Sequence, residues 1–398
     1  MKQPSIETDL YTDAAILDPY PIYRRIRDLG PAVWLSAHDA WAIGRFEDVR
    51  AALRADQVLV SGHGVAMNEM MNGQAARVTL TTDGEVHRRL RSVLMKPMMP
   101  SALREVQGEI RILAEELVDG LLAREWFDGI TDFAQHLPVA VVSHLVGLPE
   151  EGRQKMRDWA AGTFDALGVM NERGSAALPV MFEMANYAMQ VERSRLRGGG
   201  WAARLFEAAD ERKVETSDVP GMLIDYIAPS LDTTILGTGH LLFQLATHPE
   251  QWQLVRDNHE LIPRAVDEAL RLEPPVRAFS RLAVSDYPVG DTTIAAGERV
   301  LVLYGSANRD ERRYPDPDKF DVTRDAKDHV GFGHGVHRCA GGSLAELEMQ
   351  SLLRAMVTRV ARIEVGEPEV AMNNVLRGYR GFRARFRGGS AIATGEQP

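Results

Sequence analysis

The sequence predicts a mainly α-helical fold with a minor β region, contained in a single domain. Apolar residues recur at helical spacing through several long stretches, of which 101–122 is the clearest. Strand-like segments are short and confined to residues 32–43 and 287–303. A length of 398 residues would allow two or three domains, but no stretch has the composition of a linker. We therefore expect one domain over residues 1–398.

The composition argues against several classes of protein. A formal net charge of −10 does not suit a nucleic-acid-binding protein, which should carry a basic stripe. Hydrophobic residues make up 45% of the chain, yet no apolar run approaches the length of a membrane span. The N-terminus lacks the apolar segment of a secretion signal, so we expect a cytoplasmic protein. The small polar residues 388–398 predict a frayed tail.

The N-terminal region contains short elements followed by a long loop. Residues 32–43 predict a hairpin and 46–53 a helix, whereas 60–83 has no clear period. Long loops of this kind are often functional, so we predict an ordered loop. Three methionines in it suit either an adaptable pocket wall or ordinary core filling: Met67, Met70 and Met71.

A basic turn of helix follows this loop. His87 and Arg91 are four residues apart and so share one face of the helix. Two basic groups on one face suit an anion, although such a turn is also typical of a solvated surface. Arg88 and Arg89 point in other directions.

The middle of the chain is predicted to be helical over residues 101–122, 137–148 and 151–167. Phe164 and Leu167 lie about one turn apart near the end of the last segment. They are candidates either for the roof of a pocket or for core packing.

Residues 219–247 are apolar on nearly all sides, which predicts a buried central helix. Pro229 lies inside it and removes the hydrogen bond to the carbonyl of Asp225, so the axis should be kinked. Asp232 and Thr233 follow at the disturbed turn. Their side chains suit either hydrogen bonding to the backbone groups that the proline leaves unpaired or a chemical role at this point.

Glu268 and Arg271 are three residues apart on a helix that ends at Pro274. At a surface, an ion pair with this spacing would be worth only about 0.5 kcal/mol. The pair by itself therefore indicates no function.

The segment Phe-Gly-His-Gly-Val-His-Arg-Cys-Ala-Gly-Gly, residues 332–342, contains Cys339, the only cysteine in the chain. A lone cysteine is often a small buried hydrophobe. Four glycines within this window, however, let the backbone turn sharply or lie close against a flat ligand. The next residues have helical spacing, so Cys339 precedes a helix N-terminus, where a thiolate is favoured. One thiolate without companion ligands suits haem, whose macrocycle supplies the other metal ligands.

The pattern Phe-Gly-x-Gly-x-His-x-Cys-x-Gly resembles the haem-binding loop of the cytochrome P450 monooxygenases. Every fixed position of that pattern is present between Phe332 and Gly341. The resemblance covers roughly residues 15–386 and implies the cytochrome P450 fold, with haem b held between the central helix and the helix after Cys339.

The resemblance implies roles for several of the residues introduced above. Cys339 would be the axial ligand of the haem iron, with Phe332 and Gly333 in the haem-binding loop. Four basic residues match the family's contacts to the haem propionates: His87, Arg91, Arg281 and His337. Asp232 and Thr233 resemble the acid-alcohol pair that delivers protons during oxygen activation. In place of the small residues usual before this pair, the chain has Pro229 and Ser230.

A structural network is also implied. Glu268 and Arg271, together with Arg324 from the segment Pro315-Asp-Pro-Asp-Lys-Phe-Asp-Val-Thr-Arg, match the family's Glu-x-x-Arg motif and its distal arginine. These residues would hold in place the loop that carries the thiolate.

Three segments resemble the bacterial members that oxidise para-substituted benzoates: Gly305-Ser-Ala-Asn-Arg-Asp, His329-Val-Gly-Phe-Gly and Asn373-Asn-Val-Leu-Arg-Gly. Arg77 could then hold a carboxylate. Asp225 and Tyr226, however, stand where that group has a basic and a small hydroxyl residue. Other predicted pocket residues are Phe164, Leu167, Ala228, Val276 and Phe279.

The resemblance implies a monomeric monooxygenase that uses O2 and electrons from a ferredoxin-type partner and its reductase. Arg88, Arg89 and Arg338 would form the docking patch for that partner. We expect a small, compact, aromatic substrate that is hydroxylated or O-demethylated; a neutral terpenoid is the alternative. A peroxide-driven haem-thiolate enzyme and a non-enzymatic haem sensor are alternative classes.

Overall fold

The computed structural model describes residues 4–73 and 78–388. Arg77 and the predicted tail beyond Gly388 lie outside the described residues. The helices are α1 Asp13–Leu17, α2 Tyr20–Leu29, α3 Phe46–Arg54, α4 Glu69–Gly73, α5 Gly84–Leu94, α6 Pro100–Leu122, α7 Ser143–Val146, α8 Glu150–Leu167, α9 Glu172–Gln190, α10 Trp201–Asp210, α11 Val219–Ile227, α12 Asp232–Thr247, α13 Pro249–Asp257, α14 Ile262–Leu272, α15 Tyr304–Ala307 and α16 Gly342–Val357.

The strands are β1 Ser5–Ile6, β2 Val33–Leu35, β3 Ala40–Ile43, β4 Leu59–Val60, β5 Phe127–Asp128, β6 Ala278–Ala283, β7 Tyr287–Val289, β8 Thr292–Ile294, β9 Arg299–Leu303, β10 Val360–Val365, β11 Glu369–Val370, β12 Tyr379–Gly381 and β13 Arg383–Gly388. The mainly helical fold with a minor β region is therefore confirmed.

The main sheet has the strand order β1-β2-β3-β9-β6-β4. The predicted hairpin forms its β2 and β3, and β9 pairs in parallel with β3, with Trp41 opposite Val300. Because β9 lies in the interior of the sheet, its residues 300–303 are all buried, and they are β-branched or leucine. Strand β6 pairs with β9 and carries Arg281 towards the central cavity.

The largest hydrophobic cluster joins the helices that surround the cavity. It includes Trp159 of α8, Leu241 of α12 and Met349 of α16, each at most 2% exposed. Burying one leucine side chain is worth about 1.5–3 kcal/mol, so this cluster provides a firm scaffold for the residues facing the cavity. No helix in the described parts of the chain is long and apolar enough to cross a membrane.

The central helix is interrupted more sharply than the sequence predicts. Instead of one kinked helix over 219–247, α11 ends at Ile227 and α12 begins at Asp232. Pro229 has no N–H to continue the helical hydrogen bonds, and Ser230 uses its hydroxyl to donate to the carbonyl of Tyr226. Three of the four residues between the helices, Ala228, Pro229 and Ser230, line the cavity.

The predicted long loop at 60–83 contains two short elements, α4 and the 3₁₀ turn Thr79–Thr81. Both are too short to produce a recognisable sequence period. The Thr79–Thr81 turn lies in the cavity wall, as does Met71. The pocket interpretation of this loop is thus supported for part of it.

Candidate functional site

A cavity of about 400 Å³ lies between the Cys339 loop and the interrupted central helix. Cys339, Phe332 and Gly333 line one side of it, and Thr233 and Thr234 line the other. The remaining wall is mainly apolar. Two distant stretches of the sequence, predicted separately to carry chemistry, thus face a common space.

The Cys339 loop is shaped by its own backbone. The N–H of Cys339 donates to the carbonyl of Phe332 at 2.7 Å, which closes the loop. Gly335 has φ of 70°, and a Cβ there would lie 2.4 Å from the carbonyl oxygen of Leu53. Glycine is required at this position both by the left-handed backbone and by the close approach of α3.

The sulfur of Cys339 does not favour a thiolate by itself. Burial raises the pKa of Cys339 above its ordinary value, although the N–H groups of Gly341 and Gly342 and the charge of Arg91 act in the opposite direction. The N–H groups at the helix N-terminus thus favour the thiolate, as predicted, while desolvation opposes it. A bound metal cation would reverse this balance.

Basic side chains surround the cysteine side of the cavity. Arg91, Arg281 and His337 line the cavity, whereas His87 does not and packs against His337 with 4.2 Å between ring centroids. The Nε2 atoms of His87 and His337 are buried, and neither makes a hydrogen bond within the described residues. His337 Nε2 lies 3.5 Å from the carboxylate of Asp83, which is an ion-pair distance without hydrogen-bond geometry.

These features fit haem b. A buried ring nitrogen without a partner is rare in proteins, and that of His87 indicates a missing hydrogen-bonding group such as a carboxylate. Two arginines and a histidine beside one cavity suit the two propionates of haem, and an unpaired cysteine facing the same space suits its iron. Among the described residues, no three histidine, cysteine, aspartate or glutamate side chains cluster as a protein-only metal site.

The predicted acid-alcohol pair is divided between two environments. The Thr233 hydroxyl lies in the cavity wall and donates to the carbonyl of Pro229 at 2.9 Å. Asp232 is not part of that wall; its carboxylate faces Arg157 of α8, with 3.9 Å between Oδ1 and Nε. Burial raises the pKa of Asp232 to about 6. Thr233 therefore faces the cavity, whereas the neighbouring Asp232 faces a partly exposed arginine.

The described residues of the predicted substrate pocket all line the cavity: Phe164, Leu167, Ala228, Val276 and Phe279. The rings of Phe164 and Phe279 are nearly parallel, 6.4 Å apart. The sequence did not predict further lining residues, including Thr79, Met181 and Glu348. Asp225, which stands where the benzoate-oxidising relatives have a basic residue, also lines the cavity.

The Glu268 and Arg271 network is buried, unlike a surface ion pair. Both side chains are 0% exposed, and Arg271 Nε donates to Glu268 Oε2 at 2.7 Å. Arg271 also donates to the carbonyl of Asn308, whose side chain accepts from the N–H of Val330 just before the Cys339 loop. Arg324 donates to Glu268 Oε1 at 3.2 Å. The three predicted residues thus form one network that reaches the loop through Asn308.

The predicted docking residues differ in their surroundings. Arg88 is exposed, and Arg338 is half-exposed with Glu346 at 3.9 Å. Arg89 instead contacts the buried carboxylate of Asp218 at 3.1 Å. Arg89 is therefore less available to a docking partner than Arg88, because tertiary packing gives this arginine a buried acidic neighbour.

Comparison with known proteins places this arrangement in a family. Residues 201–361 match the sequence model described as Cytochrome P450. The chain is 34% identical over 381 residues to Cytochrome p450 CYP199A2 of Rhodopseudomonas palustris, covering 94% of this chain and 92% of the relative. It is 31% identical over 371 residues to Nocardicin C N-oxygenase of Nocardia uniformis, covering 90% and 92%.

Comparison with solved structures places the chain in the same family. The solved structure of Cytochrome P450 CYP109Q5 from Chondromyces apiculatus superposes with a TM-score of 0.81 at 26% identity, covering 97% of this chain and 99% of that one. Proteins of this family use haem b with a thiolate-bound iron, which the cavity fits. By its sequence relatives, its fold and the residues around Cys339, this chain belongs to the cytochrome P450 family of haem-thiolate monooxygenases.

Proposed function

We propose that the protein inserts one atom of O2 into a small, compact, aromatic molecule, by hydroxylation or O-demethylation. The observation that carries this proposal is the common cavity, with Cys339 on one side, Thr233 on the other and a mainly apolar wall between them. The nearly parallel rings of Phe164 and Phe279 suit a flat aromatic ring.

Haem, when bound, would supply an iron that activates dioxygen with electrons from a redox partner. Cys339 would bind that iron, and Arg91, Arg281 and His337 would bind the propionates. His87 would act through His337, against whose ring it packs. Burial and the neighbouring His337 and Arg91 lower the pKa of His87 to about 4, so this imidazole would contribute a hydrogen bond rather than a charge.

Protons would reach the reaction from the Asp232 side. The carboxyl of Asp232, with a pKa near 6, exchanges a proton readily at neutral pH. Arg157 is 39% exposed and would connect Asp232 with solvent. The Thr233 hydroxyl, held by the Pro229 carbonyl, would present its oxygen to the cavity. The protons would thus pass from the solvent beside Arg157 to Asp232 and from there towards Thr233.

Electrons would come from a ferredoxin-type protein that docks on the face outside Cys339. Arg91 donates to the carbonyl of Arg338 and so joins α5 to the Cys339 loop. The exposed Arg88 lies about one turn before Arg91 on α5. Arg88 and Arg338 would attract an acidic partner even though the whole chain is negative.

A titration of the ferric, haem-loaded protein tests the substrate class. We expect small para-substituted aromatic compounds to shift the iron to high spin, and reduction with ferredoxin and its reductase to give hydroxylated or O-demethylated products. A panel of acids, alcohols and esters should be compared with neutral terpenoids of similar volume. A shift with the terpenoids and with none of the aromatic compounds would overturn the proposal.

A further inference from the structure

Asp225 of α11 places a carboxylate in the wall of the cavity. Its Oδ2 accepts a hydrogen bond from the N–H of Thr79 at 2.7 Å, and the N–H of Leu80 also donates to the carboxylate. A carboxylate has about four acceptor positions, so these donors do not exhaust it. The side chain therefore keeps hydrogen-bonding capacity at the boundary of the cavity.

The surroundings of Asp225 compensate its charge in part. Burial raises the pKa of Asp225 to about 6, and hydrogen bonds from Thr79 and Leu80 and the charge of Arg91 act against that rise. The group is thus mainly ionised at neutral pH. Tyr226, the next residue, donates its hydroxyl to the carbonyl of Leu94 at 2.8 Å and does not turn it towards Asp225.

The positively charged groups that line the cavity are committed elsewhere. The three cavity-lining arginines in the described chain are Arg91, Arg281 and Arg338, and no lysine lines the cavity there. Arg91 and Arg281 belong to the basic set that fits the propionates, and Arg338 contacts Glu346 at its surface side. Among the described residues, a carboxylate on the substrate would therefore meet a like charge at Asp225 and no arginine or lysine that is free to bind it.

We propose that Asp225 determines substrate specificity by selecting molecules that present an O–H or N–H donor and by repelling carboxylates. This inference rests on the proposed monooxygenase function and names the polar group of its substrate. The donor would bind Asp225, and the apolar remainder would pack against the cavity-lining rings of Phe164 and Phe279. A hydrogen bond from the donor to the charged Asp225 and the repulsion of a carboxylate by the same charge both favour the donor-bearing molecule over the acid.

A structural role is the competing explanation. By accepting from Thr79 and Leu80, Asp225 fastens the Thr79–Thr81 turn to α11. Asp225→Asn separates the two roles, because the amide keeps an oxygen acceptor for the Thr79 N–H but removes the charge. A purely structural role predicts that this variant changes the affinity for all ligands by a common factor.

The test uses the ferric, haem-loaded protein and three probes with one methoxyphenyl group: 4-methoxybenzyl alcohol, methyl 4-methoxybenzoate and 4-methoxybenzoate. The alcohol presents an O–H donor, the acid presents an anion, and the ester presents neither. Dissociation constants are measured by spin-state titration and by calorimetry at pH 7.5. We expect the alcohol to bind the natural protein about tenfold to a hundredfold more tightly than the acid, with the ester between them.

In Asp225→Asn this preference should fall at least tenfold, mainly because the acid gains affinity. Asp210→Asn is the matched control: it removes the same charge from an exposed residue outside the cavity wall and should leave the preference unchanged. The inference is overturned if the alcohol fails to bind, if the acid binds the natural protein as tightly, or if Asp225→Asn shifts all three constants equally. Failure of the proposed function is a separate result, in which probes bind but none is oxidised.

Discussion

The hydroxyl of Thr233 donates a hydrogen bond to the backbone carbonyl of Pro229, with 2.9 Å between Oγ1 and the carbonyl oxygen. The bond joins the first turn of α12 to the interruption before it, and it holds a polar oxygen in the cavity wall. A proline in place of a small residue therefore still leaves a carbonyl that orients the threonine. This geometry supports the role proposed for Thr233.

Thr233→Ala should keep haem and substrate binding within about twofold while product formation falls about tenfold or more. Without the hydroxyl, electrons should be diverted to hydrogen peroxide, which is measured as peroxide formed per NADH consumed. Thr233→Ser should retain most of the coupling. Thr234→Ala is the control, since Thr234 also lines the cavity. Equal uncoupling in both alanine variants would contradict the role assigned to Thr233. Turnover driven by peroxide at the same rate in Thr233→Ala and the natural protein would contradict it as well.

Arg271→Met should destabilise the haem-loaded protein by about 3–5 kcal/mol, because it leaves the carboxylate of Glu268 buried without its main partner. Urea unfolding followed by circular dichroism measures this loss. Arg324→Met should cost less, since Arg324 is partly exposed and gives Glu268 fewer hydrogen bonds. A loss below about 1 kcal/mol for Arg271→Met would show that the network does not support the loop.

Arg88→Glu should slow reduction by a ferredoxin about threefold to tenfold at low ionic strength, and the difference should shrink as salt screens the charge. Stopped-flow reduction at several salt concentrations checks this. Arg25→Glu makes the same charge change on the exposed side of α2 and should have little effect. Arg89→Glu should instead destabilise the fold, because the new carboxylate would face Asp218. Equal reduction rates for Arg88→Glu and the natural protein would exclude Arg88 from the docking site.

Glu348→Gln should stabilise the protein increasingly as the pH rises from 6 to 8, by roughly 2 kcal/mol over that interval. Glu348 is 1% exposed, neither of its oxygens makes a hydrogen bond within the described residues, and burial raises its pKa to about 8. Since the folded pKa lies above the unfolded one, protonated Glu348 favours the folded state, and this contribution is lost as the pH rises through 8.

Denaturant unfolding at a series of pH values measures the difference between the natural protein and Glu348→Gln. Glu367→Gln, at an exposed position, should give a difference that does not change with pH. A constant difference for Glu348→Gln as well would mean that the carboxyl finds a partner once haem is bound.

Much of the fold and of the candidate site could be predicted because the signals are local. The Cys339 loop can be recognised in the sequence by glycines at fixed spacing. Glycine is required at position 335 by its left-handed backbone angle and by the close carbonyl of Leu53. The interruption at Pro229 follows from a missing N–H. The number of non-helical residues between α11 and α12 was not predictable, because it depends on how the two helices pack against their neighbours.

The sequence by itself determined the cofactor class, the position of the acid-alcohol pair and the mainly helical fold, since each depends on residue type at short spacing. Only the tertiary structure decided what those residues face. It brings Asp225 to the N–H of Thr79 across 146 residues of chain, directs Asp232 away from the cavity towards Arg157, and pairs Arg89 with Asp218. The pKa of Cys339 is raised for the same reason: burial depends on the packing of distant segments, which no local sequence period encodes.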